Sequence, residues 1–205
     1  MTTVGRWSPN KVRKRLLEDT WVFPNSGMIL MRPTSIVVAG TGATASIGVN
    51  GSATFTSATS LSLNGVFTSS YDNYIVSIRF TNVTGTTTLQ YRWRASGTDN
   101  STTNSYVTQE LTADSTTVGG GRYTANLAYF GTAYATQRSG LNMNVYGPFL
   151  SQPTASRSVT VGDYLSAYSY DAAHTHNQST SYDGLTMLLS AGSITGLVSV
   201  YGLGG

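Results

Sequence analysis

Both histidines of the chain stand two residues apart, in Ala173-His174-Thr175-His176-Asn177. On a β-strand, residues i and i+2 point to the same face. Two imidazoles so placed could ligate a metal ion. The surrounding residues are rich in Ser and Asn, however, and the stretch reads as a solvated loop. No metal and no cofactor are therefore expected. Asp163, Asp171 and Asp183 lie within sequence reach of the two histidines, which raises the question of a Ser-His-Asp hydrolase. No serine occupies a Gly-x-Ser-x-Gly elbow, the strained turn that exposes a nucleophile. Serine and threonine together number 57, so their coexistence with His and Asp carries almost no information. Beyond residue 33 the carboxylates are Glu110 and six aspartates, most of them in turn contexts, which supplies poor material for a glycosidase pair. Gly119-Gly120-Gly121 is followed by neither a lysine nor a helix, and reads as a loop, not a phosphate cradle. The expectation is a protein without enzymatic activity.

Tyrosine is the surplus residue, with 13 in the chain. Tyr164, Tyr168 and Tyr170 share one strand parity, and Tyr123, Tyr129 and Tyr134 lie close together in sequence. A tyrosine is rigid and amphipathic. It suits core or inter-subunit packing, and it equally suits contact with sugars or proteins.

The elements that carry these residues follow from composition. Charged residues make up 10% of the 205, against roughly 25% in an average domain. That excludes a coiled coil or a helical bundle, whose solvated faces need Glu, Lys and Arg. The absence of cysteine excludes a disulfide scaffold and a Cys-based zinc protein. An apolar fraction of 40% excludes a disordered linker. The net charge of +3 is unevenly spread. Residues 1–32 carry six cations, including both lysines, against Glu18 and Asp19, whereas residues 33–205 carry six arginines against seven acids. A short basic head thus precedes a nearly neutral body, which lacks the positive stripe of a nucleic-acid binder. The apolar runs are far shorter than the ~20 residues of a membrane span, and the head has no apolar signal-peptide core. Folding in a cytoplasm and no membrane insertion are expected.

Ser8-Pro9 is a helix start, with Ser8 as cap and Pro9 in the first turn, and Asn10 to Thr20 continues it with Val12, Leu16 and Leu17 on one side. Eleven residues with cations early and acids late make a weak isolated helix. It needs something to pack on. Trp7, Trp21 and Phe23 flank it, and large aromatics beside cations suit a docking interface. The residues expected to dock are Arg6, Trp7, Lys11, Arg13, Lys14, Arg15, Leu16, Leu17, Trp21 and Phe23. Pro24-Asn25-Ser26-Gly27 and Arg32-Pro33 are breaks that bound a linker. The expected division is 1–33 for this anchor segment and 34–205 for the body.

The body alternates. Tyr74, Val76, Ile78 and Phe80 share one face, as do Leu89, Tyr91, Trp93 and Ala95 in the cleaner run 89–95, with Gln90, Arg92 and Arg94 opposite. Asn82-Val83-Thr84-Gly85 between them signals a hairpin. Leu141, Met143 and Val145 alternate with Asn142, Asn144 and Tyr146, and 194–201 forms a last strand. Further strands are expected at 36–39, 45–49, 53–56, 59–63, 106–111, 123–130, 158–161, 164–170 and 185–189. About a dozen such strands fit an all-β, antiparallel β-sandwich of jelly-roll-like kind.

Three runs resemble a domain of tailed-bacteriophage structural proteins found in tail fibres, minor tail proteins and head fibres. They are Phe67-Thr-Ser-Ser-Tyr71-Asp-Asn-Tyr74-Ile-Val, Leu89-Gln-Tyr-Arg-Trp-Arg-Ala-Ser-Gly97-Thr-Asp, and Ser181-Tyr182-Asp183-Gly184 with Gly192-Ser-Ile-Thr-Gly196-Leu-Val-Ser-Val-Tyr201-Gly202. The resemblance spans about 34–205 and rests on aromatics and glycines. It implies a homotrimeric β-sandwich displayed on a virion. The short basic head would attach it to another virion protein: a tail adaptor, a portal-proximal protein or a capsid protein. A short tail fibre or receptor-binding protein is the expectation, meeting a host cell-surface receptor, glycan included. Tyr164, Tyr168, Tyr170, His174 and His176 are the candidate receptor contacts. In a trimer the His174–His176 pair would also present six imidazoles to the threefold axis, the kind of motif through which some phage fibres bind iron. The alternatives are a head fibre or capsid-decoration protein, and a carbohydrate-binding accessory module.

Overall fold

A strand whose alternate residues are apolar must bury one face against another layer. This chain does so with two sheets. The computed structural model describes residues 27–135, 138–164 and 166–204. The helix expected at 8–20 and all ten anchor residues, from Arg6 to Phe23, lie outside the described residues. In chain order the strands are β1 (Met28–Met31), β2 (Ser35–Ala39), β3 (Thr44–Ile47), β4 (Ala53–Ala58), β5 (Ser60–Asn64) and β6 (Asn73–Val83). Next come β7 (Thr87–Ala95), β8 (Thr98–Asp99), β9 (Tyr106–Asp114), β10 (Thr117–Ala125) and β11 (Ala128–Ala133). The last are β12 (Ser139–Tyr146), β13 (Thr154–Tyr164), β14 (Ser166–His176), β15 (Gly184–Leu189) and β16 (Ile194–Leu203).

The larger sheet runs β10-β9-β14-β13-β12-β6-β16-β4-β3, with β1 also on β16, and the smaller runs β11-β7-β15-β5-β2, with β8 on β7. Every pairing is antiparallel. The two sheets close on one core that holds Tyr74, Val76, Ile78 and Phe80 of β6, Leu89, Tyr91 and Trp93 of β7, and Leu141, Met143 and Val145 of β12. These are the alternating faces read from the sequence, and the expected antiparallel β-sandwich is the fold. Aromatic edges lock it: Phe67 meets Tyr74 at 4.9 Å and Trp93 at 5.9 Å between ring centroids, and Trp93 stacks on Tyr182 at 6.3 Å. Residues of the runs 67–76, 89–99 and 181–184 therefore meet in a single aromatic cluster.

Some local expectations are corrected. The segment 82–85 is no hairpin: β6 and β7 lie in different sheets, and Thr84 instead bonds Ser193 through its amide (3.0 Å), while the Ser193 amide donates to Thr84 Oγ1 at 2.8 Å. The turn chemistry is present, but the buried face of each strand needs the opposite layer. Met28–Met31, read as linker, forms β1 against β16. Gly119-Gly120-Gly121 sits within β10, paired with Thr112, Leu111 and Glu110, so it is strand and not loop. The strand expected at 123–130 breaks after Ala125, which ends β10 before β11 begins in the other sheet. The segment 173–177 is also mostly strand, since β14 continues through His176.

Candidate functional site

The larger sheet is wider than the smaller one, and the difference creates a cleft. β11 is the edge of the smaller sheet and lies across β13, β14 and β9. Its backbone is tied down by side chains from the facing sheet: Thr160 Oγ1 donates to the Phe130 carbonyl at 2.6 Å, and the Tyr129 amide donates to Thr108 Oγ1 at 3.2 Å. Beyond β11 nothing in the smaller sheet covers β10, which is exposed along most of its length. The step between covered and uncovered sheet is a cleft of about 300 Å³, the lower end of the ~300–1,000 Å³ usual for ligand sites.

Strand parity decides what lines it. Glu110 and Thr112 come from the inner face of β9, Tyr168 and Tyr170 from β14, Tyr123 from β10, and Tyr129, Gly131 and Thr132 from β11, with Thr88 of β7 at the rim. Among the described residues Glu110 is the only charged one in the lining. The Tyr123 hydroxyl donates to Glu110 Oε1 at 3.0 Å. It reaches back over Gly121, where a Cβ would stand 2.9 Å from that hydroxyl and 3.1 Å from Glu110 Oε1. Gly131 sits at a bulge of β11 with φ +125°, and a Cβ there would lie 2.9 Å from Tyr170 Cγ. Only glycine allows both this backbone angle and the Tyr170 ring against it. Burial pushes the Tyr168 hydroxyl up to about 12, with Tyr134 and Glu110 adding to it. Burial and then Glu110 raise Tyr170, and the hydrogen bond to Glu110 raises Tyr123. The phenols thus stay protonated around a carboxylate. Asp114, opposite Tyr168 in register, adds a second negative charge beside the cleft. Arg122, the cation of β10, pairs with Gln109 on the other face of the sheet.

The structure places the proposed contact residues differently from one another. Tyr168 and Tyr170 line the floor of this cleft, 7% and 4% exposed, and Tyr123 and Tyr129 join them. The Tyr164 side chain lies outside what the structure describes. His174 and His176 do share a face, but it is the inward one. His174 bonds Ser158 Oγ at 3.0 Å and Thr108 Oγ1 at 3.3 Å and abuts Tyr91, while His176 bonds the Tyr182 hydroxyl at 2.6 Å and packs on Tyr106. Burial pushes each imidazole down to about 4. Neither can meet a receptor or a metal on a symmetry axis, because both rings are core. The parity was readable; which face is covered depends on where the second sheet falls. Among the described residues no group of three or more His, Cys, Asp or Glu could hold a metal ion. Glu110 and the three threonines gave no sequence signal as site residues, since nothing local shows that β9, β11 and β14 meet.

Two other surfaces bear on function. On the outer face of the smaller sheet Arg94 is buried beside β8, whose Asp99 is its register partner. It bonds Asn64, Ser62 and Thr186 (2.9, 3.2 and 2.8 Å) and forms an ion pair with Asp99. On the outer face of the larger sheet Leu111, Val118, Val159 and Val161 stand exposed. The ion pair on that face joins Arg157 to Asp171 through two contacts of 3.0 and 2.5 Å.

Fold and cleft together define an all-β sandwich with a ligand-sized aromatic recess at the edge of its smaller sheet. No protein-family model matches the chain, and no curated protein matches it. Among solved structures it is similar to the botulinum neurotoxin serotype G binding domain, at 7% identity and a TM-score of 0.24, over 87% of this chain and 44% of that one. The chain thus spans less than half of that structure, and a likeness of this degree carries no argument about function.

Proposed function

We propose that the chain is a structural protein of a tailed-bacteriophage particle, a short tail fibre or receptor-binding protein that is held by its basic N-terminal segment and displays the β-sandwich to the host surface. The observation that carries the reading is the convergence of the three phage-like runs on the Phe67–Tyr74–Trp93–Tyr182 cluster. Residues scattered from 67 to 182 meet in one cluster. The charge-poor, hydroxyl-rich surface agrees with display and adhesion through many weak contacts multiplied by copy number. The reading includes the homotrimer that the resemblance implies. The exposed Leu111, Val159 and Val161 give the outer face of the larger sheet apolar surface for self-association, with Arg157 and Asp171 paired within it and Arg122 adding positive charge.

The test is location. Antibody labelling of intact particles, with mass spectrometry of separated tails and capsids, should place the chain on tails. Density on the capsid alone would transfer the reading to a head fibre or decoration protein. Absence from purified particles would overturn the phage assignment.

A further inference from the structure

We propose that the cleft between β10 and β11 is a binding site for an organic ammonium group. This goes beyond the phage reading and does not rest on it. The walls are four tyrosines, Tyr123, Tyr129, Tyr168 and Tyr170, around the carboxylate of Glu110. A cation close to aromatic rings is attracted by their quadrupoles, by ~0.5–2 kcal/mol depending on desolvation. Glu110 adds a carboxylate beside the Tyr123–Tyr129 ring pair, whose centroids lie 5.3 Å apart, and Asp114 reinforces it from beside Tyr168. Among the described residues no cation lines the cleft, and Arg122 faces away. Of the tyrosine hydroxyls, that of Tyr123 is already committed to Glu110. The Tyr170 hydroxyl is without a partner and three threonines also line the recess, so the carboxylate among the rings, not a lack of hydrogen-bonding groups, is what favours a cation over a neutral sugar. Its volume of about 300 Å³ admits a compact head group. The chemistry is shared by quaternary ammonium groups of the choline type and by the primary ammonium of amino sugars.

The experiment is a titration of the full chain, followed by tyrosine fluorescence and by NMR, with choline, with its neutral isostere 3,3-dimethyl-1-butanol, with glucosamine and with glucose. Saturable binding of choline or glucosamine, at least tenfold tighter than the matching neutral compound, is expected. Which of the two binds more tightly identifies a quaternary or a primary ammonium. Glu110→Gln should weaken that binding tenfold or more at an unchanged unfolding midpoint. Tyr129→Ala should weaken it as well, while Tyr123→Phe, which keeps the ring, should retain most of it. Equal affinity for charged and neutral compounds, binding of glucose alone, or no saturable binding overturns the proposal. So does an unaltered affinity in Glu110→Gln. None of these outcomes bears on the location of the chain on a particle.

Discussion

His174 and His176 illustrate how far a residue can be read in isolation. Their spacing correctly puts them on one face, and their Ser- and Asn-rich neighbours suggest water. The neighbours that matter are distant: Tyr91, Tyr106, Ser158 and Tyr182 close over the rings. The consequence is a pH dependence of stability. Each imidazole is held neutral in the fold, at about 4 against 6.5 when exposed. The unfolded chain therefore binds more protons below pH 6.5, and stability falls as pH drops from about 6.5 towards 4. The change is about 3 kcal/mol for His174 alone. Urea unfolding across that range should show the fall, and His174→Gln should flatten it by roughly half; an unchanged slope would refute the assignment. Asp171, lowered by Arg157, acts in a separate window, losing its contribution only as pH falls below the ordinary carboxylate range.

Elements were more legible than their partners. The alternation in β6, β7 and β12 identified the buried face residue by residue, because the period of two is a local property. The hairpin expected at 82–85 failed because turn residues permit a bend without dictating whether the next strand pairs or crosses to the other layer. β1 escaped notice because four residues between Gly27 and Arg32-Pro33 are too short to show alternation. The bulge of β11 is the clearest element-level device. Gly131→Val would force a side chain into a positive-φ site and into the Tyr170 ring. It should cost roughly 2 kcal/mol or more in urea unfolding and abolish ammonium binding in the cleft. Part of the stability loss should return in the double variant with Tyr170→Ala, because residues in contact are not additive.

For the whole molecule, the head-and-body division read from charge moves at its edge. The Gly27 carbonyl already accepts from the Gly204 amide at 3.1 Å, and β1 pairs with the end of β16, so residues before 33 belong to the sandwich. Deleting residues 1–26 should leave the thermal midpoint of the sandwich within a few degrees of the full chain while preventing incorporation into particles. Deleting 1–32 should lower that midpoint distinctly, since it strips β1 from β16. Calorimetry of both truncations decides the point, and equal midpoints would show that β1 is dispensable. The two-layer architecture was legible throughout. The cleft was not, because it arises from a mismatch in sheet widths that no single segment encodes.

The pairing of β1 with β16 also has a mechanical side. From β1 to β9, the strand that carries Glu110, the ladder crosses six strand spacings, roughly 30 Å of sheet. A load hung between residue 27 and an occupied cleft pulls across those ladders in series. Their registers hold ten pairs for β6 on β16, eleven for β13 on β14 and nine for β14 on β9, but only four for β1 on β16. If the chain is held through its N-terminus and loaded at the cleft, as proposed, the four-pair ladder of β1 is the one expected to yield first, lengthening the tether before the longer ladders open.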